Sequence, residues 1–181
     1  MSTPPGASQP MPSAAIDAPP PGRPALLLHG GAWAIPDNET AAHVEGMTAA
    51  LVRGRALLEG GASALETVVE TVAVLEAHPA FDAGRGAVLD RSGRAQLDAG
   101  VMCGATLRWG AVAHVRRLAH PIRVARHLLD GDGQERLLVG PGAEAFAEEV
   151  GFGLIENERL VVERERERFV RLRDEAAFHT S

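Results

Sequence analysis

Cys103 is the only cysteine in 181 residues. An internal disulfide framework and a thiolate zinc site are therefore excluded, and a reducing, cytoplasmic setting is the expectation. No apolar run approaches the roughly 20 residues of a membrane span. The start lacks the basic end and continuous apolar stretch of a signal peptide. Positive charge is short as well: a formal net charge of -6 leaves no surplus for neutralising phosphates and argues against a general nucleic-acid role. A soluble protein with no nucleic acid and no membrane among its partners is expected. No Ser/His/Asp, Cys/His or metal-ligand spacing stands out.

What is present suits one folded core, with 45% hydrophobic residues. Residues 1–24 hold eight of the twelve prolines and read as a disordered tail. Residues 25–155 read as the core and 156–181 as a charged terminal segment. Ala25 to Gly31 is a short apolar run closed by a glycine pair, which predicts a buried strand ending in a tight loop at Gly30-Gly31. From about Ala41 to Glu59, Val44, Met47, Leu51 and Leu58 recur at near-helical spacing, with Gly60-Gly61 as the stop. Ser63 and Glu66 have capping-box spacing and open a second helix whose apolar face is Leu65, Val68, Val69, Val72 and Leu75. Pro79 ends it.

Phe81 to Gly104 then loses the helical period. Gly84 and Gly86 mark a loop running into a strand, Ser92-Gly93 a turn, and Leu97 to Gly100 a second strand. Thr106 to Val115 predicts a third strand with Leu107, Trp109, Ala111, Ala113 and Val115 on one face, Trp109 packing in the core or on the sheet. Pro121 suits a first helical position, followed by Ile122, Ala125, Leu128 and Leu129 on one side. Arg136 to Gly140 reads as a brief strand. Pro141 to Val150 reads as a helix with Ala143, Phe146, Ala147 and Val150 inward and Gly151 as its cap. In the charged helix from Glu156 to Ala177, only Leu160, Val161, Phe169, Val170 and Leu172 can pack.

Several residues carry two readings. His29 is a hydrogen-bonded histidine before it is a catalyst, and Cys103 packs at a buried strand end before it is a nucleophile. Asp82, Asp90 and Asp98 are paired carboxylates or, equally, turn and cap residues. Arg116, Arg117, Arg123 and Arg126 form an anion site or a solvated face. Residue types alone give an α/β domain and name no reaction.

The order of blocks does more. Leu28-His-Gly-Gly-Ala32, Ala64-Leu-Glu66, Leu75 to Val88, Leu97 to Gly104, Gly110 to Ala113, His120 to Arg126 and Leu138 to Ala147 together resemble the plant-type L-asparaginase or isoaspartyl peptidase family, over about residues 25 to 170. That resemblance implies an α/β fold of the four-layer αββα sandwich type found in N-terminal-nucleophile hydrolases. It also implies autocatalytic cleavage of a precursor into α and β chains. This chain is then the α subunit, with residues 156–181 leading into the linker before the cleavage site, and the β subunit completes an (αβ)2 heterotetramer. The nucleophilic threonine and the Arg/Asp pair that holds the substrate lie on the β chain, so no catalytic residue is assigned here. No Gly-Thr-Val-Gly-like junction occurs, and Thr180 is not taken as the nucleophile.

The resemblance assigns active-site support to Gly30, Gly31 and Asp82. It also assigns a structural sodium ion to the backbone carbonyls of Leu75, Glu76, His78, Phe81, Ala83 and Arg85. Asp82 stands where the family usually has asparagine, Trp33 where it has glycine, and Cys103 where it has aspartate. The implied activity is hydrolysis of the side-chain amide of L-asparagine and of the isoaspartyl bond in β-aspartyl dipeptides. Taspase or glycosylasparaginase specificity, a non-catalytic α-like binding fragment and an anion-binding module are the alternatives.

Overall fold

The structure, a computed structural model, describes residues 24–174. The proline-rich tail through residue 23 and the segment 175–181, with Thr180, lie outside the described residues.

Two long helices come first, α1 (Asp37–Glu59) and α2 (Ala64–Ala77). α1 starts ahead of the expected Ala41 because Pro36 precedes it and Asp37 and Glu39 place negative charge in its first turn. α2 begins as its capping box requires, with the Ser63 Oγ accepting the Glu66 N–H at 3.1 Å. Of the apolar residues at helical spacing in α1, Met47 packs on the core beside Ala50, Leu75 and Phe81, but Val44 and Leu51 do not. His43, Gly46, Ala50 and Gly54 are buried against its neighbours, whereas Val44 is 59% exposed and Leu51 also faces outward. Small residues win here because they let α1 approach closely. An added Cβ on Gly54 would lie 2.5 Å from the Thr71 Oγ1, and one on Gly46 would lie 2.9 Å from the His78 Nδ1. On α2, Val69 and Leu75 are buried as expected, but Val68 is exposed and Thr67, Thr71 and Glu76 are buried in its place.

β1 (Leu97–Met102), β2 (Trp109–Val115) and β3 (Leu137–Val139) form a sheet in the order β1-β2-β3. β1 is antiparallel to β2 and β3 is parallel to it. α3 (Pro121–Asp130) and α4 (Gly140–Glu149) follow their predicted Pro signals. Val112, Val115, Val124, Leu128, Ala143, Ala147 and Leu160 share one buried cluster, and Val101, Ile122, Ala125 and Leu129 share the next.

The parity expected for β2 is overturned. Gly110 and Val112 face the core, and Trp109 lies half-exposed on the other side. His114 has φ 56, and the pairing slips between Leu97 and Ala99, so Val115 turns inward despite its odd number. The Asp98 Oδ1 accepts the His114 N–H at 2.7 Å and pins this irregularity. Leu107, at φ 55, falls outside the strand and is exposed. Met102, Trp109, Leu137 and Val139 are exposed on the sheet face away from the helices.

Two other expected strands are reduced. The turn at Ser92-Gly93 exists, but the segment before it keeps a single bridge, Leu89 to Ala95. Residues 25–29 run without a strand partner among the described residues. Leu28 packs beside Ala50, Leu75 and Phe81, whereas Leu27 is 90% exposed. The alternation of a strand is present and its neighbour is not.

The charged segment begins with a short 3-10 turn, Asn157–Arg159, and continues as α5 (Glu163–Asp174). Leu160 is buried as expected, and Val170 is not. No helix among the described residues is long and apolar enough to cross a membrane.

Candidate active site

Gly30, Gly31 and Asp82 come from separate parts of the chain and meet at one hollow of about 280 Å3. Trp33, Phe81, Val88, Arg164, Glu165 and Arg168 complete most of its wall. Gly31 sits at φ 99, a conformation that costs a glycine little and other residues much. Its N–H donates to the His29 Nδ1 at 3.1 Å, so His29 orients the glycine turn. Gly30 is confined from behind, since an added Cβ would lie 2.7 Å from the Met47 Sδ.

Asp82 follows buried Phe81, and its Oδ1 accepts the Val88 N–H at 2.7 Å. Asp82 is exposed as a residue, yet neighbouring protein atoms crowd out part of the water around its carboxyl. That desolvation holds its pKa above the ordinary aspartate range, against the opposing pull of the Val88 N–H, Arg168 and Arg164. Asp82 therefore takes up a proton more readily than a free aspartate. It offers an O–H donor when protonated and only acceptors when ionised.

Arg164 is not among the residues of the charged helix expected to pack. Yet it joins three segments at the hollow: the Glu39 Oε2 at 3.2 Å, the Glu165 Oε1 at 2.9 Å and the Gly86 carbonyl at 3.4 Å. Glu165 is 3% exposed, and its Oε2 accepts no hydrogen bond from the described residues. The Arg168 Nη1 stands 3.8 Å from that oxygen. The i, i+4 spacing of Arg164 and Arg168 was the available signal, since it puts both on one side of a helix.

The loop from Leu75 to Arg85 folds back on the end of α2. The Leu75 carbonyl accepts the His78 N–H at 3.1 Å, the Glu76 carbonyl accepts the Arg85 N–H at 2.7 Å and the His78 carbonyl accepts the Phe81 N–H at 3.3 Å. Glycines permit this closeness: an added Cβ on Gly84 would lie 2.8 Å from the Glu76 Cα, and one on Gly86 would lie 3.1 Å from the Phe81 carbonyl oxygen. Each of those carbonyls keeps a second lone pair. Hard oxygen donors held by backbone alone fit a cation such as sodium.

Behind the loop, the Glu76 side chain is 2% exposed. Its Oε1 accepts the Ile122 N–H at 2.9 Å, and its Oε2 lies 3.2 Å from the His120 Nδ1. Nothing in the sequence pattern marked this side chain.

The remaining candidates stand apart. Asp90 closes a turn, accepting from the Ser92 N–H and Oγ and the Arg94 N–H, and it pairs with Arg116 at 3.2 Å. Burial pushes its carboxyl up, but the Ser92 hydroxyl, the Arg94 and Ser92 amides and the Gln96 side chain together hold it below the usual range. Arg123 pairs with Glu70, and Arg126 with Asp130. Cys103 is half-buried just past β1, not within a buried strand end.

The family model described as Asparaginase matches residues 22–181. The chain belongs to this asparaginase family. It is 40% identical over 140 residues to an isoaspartyl peptidase/L-asparaginase of Danio rerio, covering 77% of this chain and 45% of that protein. It is 42% identical over 127 residues to an isoaspartyl peptidase of Salmonella typhimurium, covering 67% and 40%. With a plant-type L-asparaginase of Pyrococcus horikoshii it shares 43% identity over 129 residues, covering 71% and 42%. The asparaginase-family chain thus spans less than half the length of these relatives.

Proposed function

We propose that this chain is the α portion of an autoprocessed hydrolase that cleaves the side-chain amide of L-asparagine and the isoaspartyl bond of β-aspartyl dipeptides. The observation that carries the reading is the hollow itself. Gly30, Gly31 and Asp82 converge there, and among the described residues its lining contains no serine, threonine or cysteine to act as nucleophile. The names of the relatives point to the same chemistry.

Two features support a missing half. The sheet face bearing Met102, Trp109, Leu137 and Val139 is left exposed by the described residues, and covering four such side chains is worth on the order of a few kcal/mol. Residues 25–29 are extended, with no strand beside them among the described residues. A β portion that supplies a second sheet and further strands would satisfy both and complete an αββα sandwich.

In the proposed reaction, a threonine hydroxyl of the β portion adds to the amide carbonyl while the threonine's own α-amine takes its proton. Ammonia or the leaving amino acid departs, and water hydrolyses the acyl-threonine. The glycine turn gives the nucleophile room, and Asp82 supplies a hydrogen-bonding group beside it. A sodium ion held by the carbonyls of Leu75, Glu76, His78, Phe81, Ala83 and Arg85 would stiffen the loop that carries Asp82.

The test is ammonia release from L-asparagine by residues 1–181 alone and by the same chain produced together with the β portion. Activity confined to the combined protein supports the reading. Full turnover by residues 1–181 alone would overturn it.

A further inference from the structure

Trp33 and Arg168 bring two different chemistries to the same hollow. Trp33 is 48% exposed, and its indole ring centroid lies 5.9 Å from that of buried His43. The imidazole braces the indole from the protein side and leaves much of the apolar surface uncovered. Val88 and Ala80 extend that apolar surface within the hollow.

Arg168 is the available cation. Arg164 is committed to Glu39, Glu165 and the Gly86 carbonyl. Among the described residues, Arg168 pairs with the Glu165 Oε2 at 3.8 Å, too long for a hydrogen bond, and acts on Asp82 only through its charge, so its N–H groups remain open to an anion. Asp82 makes the opposite contribution. An anionic end of a ligand is repelled there and drawn to Arg168, which sets the direction of binding. The hollow lies below the size usual for drug-like ligands, so it suits a single residue better than a long peptide.

This inference rests on the function proposed above. The family resemblance puts the Arg/Asp pair that holds the substrate on the β portion, which leaves space lined by this chain for the departing half. Ammonia, which leaves L-asparagine, has neither a carboxylate nor a side chain. The departing residue of a β-aspartyl dipeptide has the carboxylate and, unless it is glycine, a side chain as well. We propose that the hollow between Trp33 and Arg168 is a leaving-residue subsite selecting β-aspartyl dipeptides with a large apolar C-terminal residue. Arg168 takes the carboxylate of that residue and Trp33 packs its side chain.

The experiment compares kcat/KM of the processed αβ enzyme for β-aspartylphenylalanine, β-aspartylglycine and L-asparagine. Wild-type enzyme prefers the phenylalanine dipeptide to the glycine one. Trp33→Gly lowers that ratio about tenfold, the scale of a lost apolar contact, and Trp33→Phe retains most of it. Arg168→Gln lowers the ratio of β-aspartylglycine to L-asparagine about tenfold through KM. Ratios are insensitive to a fraction of misfolded enzyme. If wild type turns over these substrates and the ratios do not move in the variants, the subsite assignment fails and the parent function stands. If wild type hydrolyses none of the three, both fall.

Discussion

Glu76 and Ile122 are 46 residues apart in sequence and 2.9 Å apart in hydrogen bonding, carboxylate oxygen to backbone N–H. The bond caps the first turn of α3 from the last turn of α2. Because the Glu76 carbonyl also accepts the Arg85 N–H, one residue ties α3 to the loop that carries Asp82.

Glu76→Ala leaves the Ile122 N–H unpaired in a buried place and removes packed side-chain atoms. It costs about 2 kcal/mol, read as a lower urea midpoint. Glu76→Gln keeps an acceptor for Ile122 and has a different pH response. Desolvation holds the Glu76 pKa above its ordinary value, despite the opposing His120 and Ile122 contacts. A raised folded-state pKa contributes stability below the ordinary glutamate range, near pH 4.3, and that contribution is lost as pH rises through the folded value. The stability of Glu76→Gln relative to wild type therefore increases with pH over that window. A pH-independent difference between the two unfolding curves would contradict this.

Asp82→Asn gives a group that donates at every pH. In wild type, the raised Asp82 pKa means that the donor O–H persists above the ordinary aspartate range and then disappears. If the full protein is the self-cleaving hydrolase proposed above, its cleavage and turnover change through this titration in wild type and lose that component in Asp82→Asn. Stability follows the same sign: the contribution of the protonated group is present at low pH and lost as pH rises through the folded value. Superimposable pH profiles for the two proteins would remove Asp82 from the proposed mechanism.

Much of the fold was legible where a local chemical signal fixes an element end. Ser63 with Glu66, Pro121, Pro141 and Gly151 mark boundaries found within a residue or two. Faces were less legible. Val44 and Leu51 outweigh Gly46 and Gly54 on any hydropathy scale, yet close helix packing selects the small residues. The positive φ of His114 resets the parity of β2, which no alternation rule detects. In the site, Gly30, Gly31 and Asp82 were named from the family pattern and do share a hollow. Arg164, Glu165 and Arg168 were hidden in a Glu/Arg alternation whose buried side depends on what α5 packs against. Whether an arginine faces solvent is decided by Glu39 and Gly86, far away in sequence.

Gly46→Ala tests the close packing of α1. Helix propensity alone favours alanine by about 1 kcal/mol. The new methyl would fall 2.9 Å from the His78 Nδ1 and against the Phe81 ring, so both rings must move. Overpacking of this kind costs about 1–3 kcal/mol, and net destabilisation is expected. A higher melting temperature for Gly46→Ala would show that the interface has slack.

Arg164→Met tests whether the wall of the hollow depends on a buried ion pair. The Glu165 Oε2 already lacks a hydrogen bond from the described residues, and removing Arg164 strips the partner from Oε1 as well. Arg168 at 3.8 Å is the remaining cation close to this carboxylate. Loss of one partner from such a pair costs about 3 kcal/mol, whereas replacing both partners by apolar groups of similar volume is close to neutral. Arg164→Met is therefore strongly destabilised in urea, and the double variant Arg164→Met with Glu165→Met recovers most of the loss. The distinction matters because Arg164 also reaches the Gly86 carbonyl and Glu39. If the double variant is as unstable as the single one, those bridges between α5, the loop and α1 carry the energy, and the charge balance with Glu165 does not.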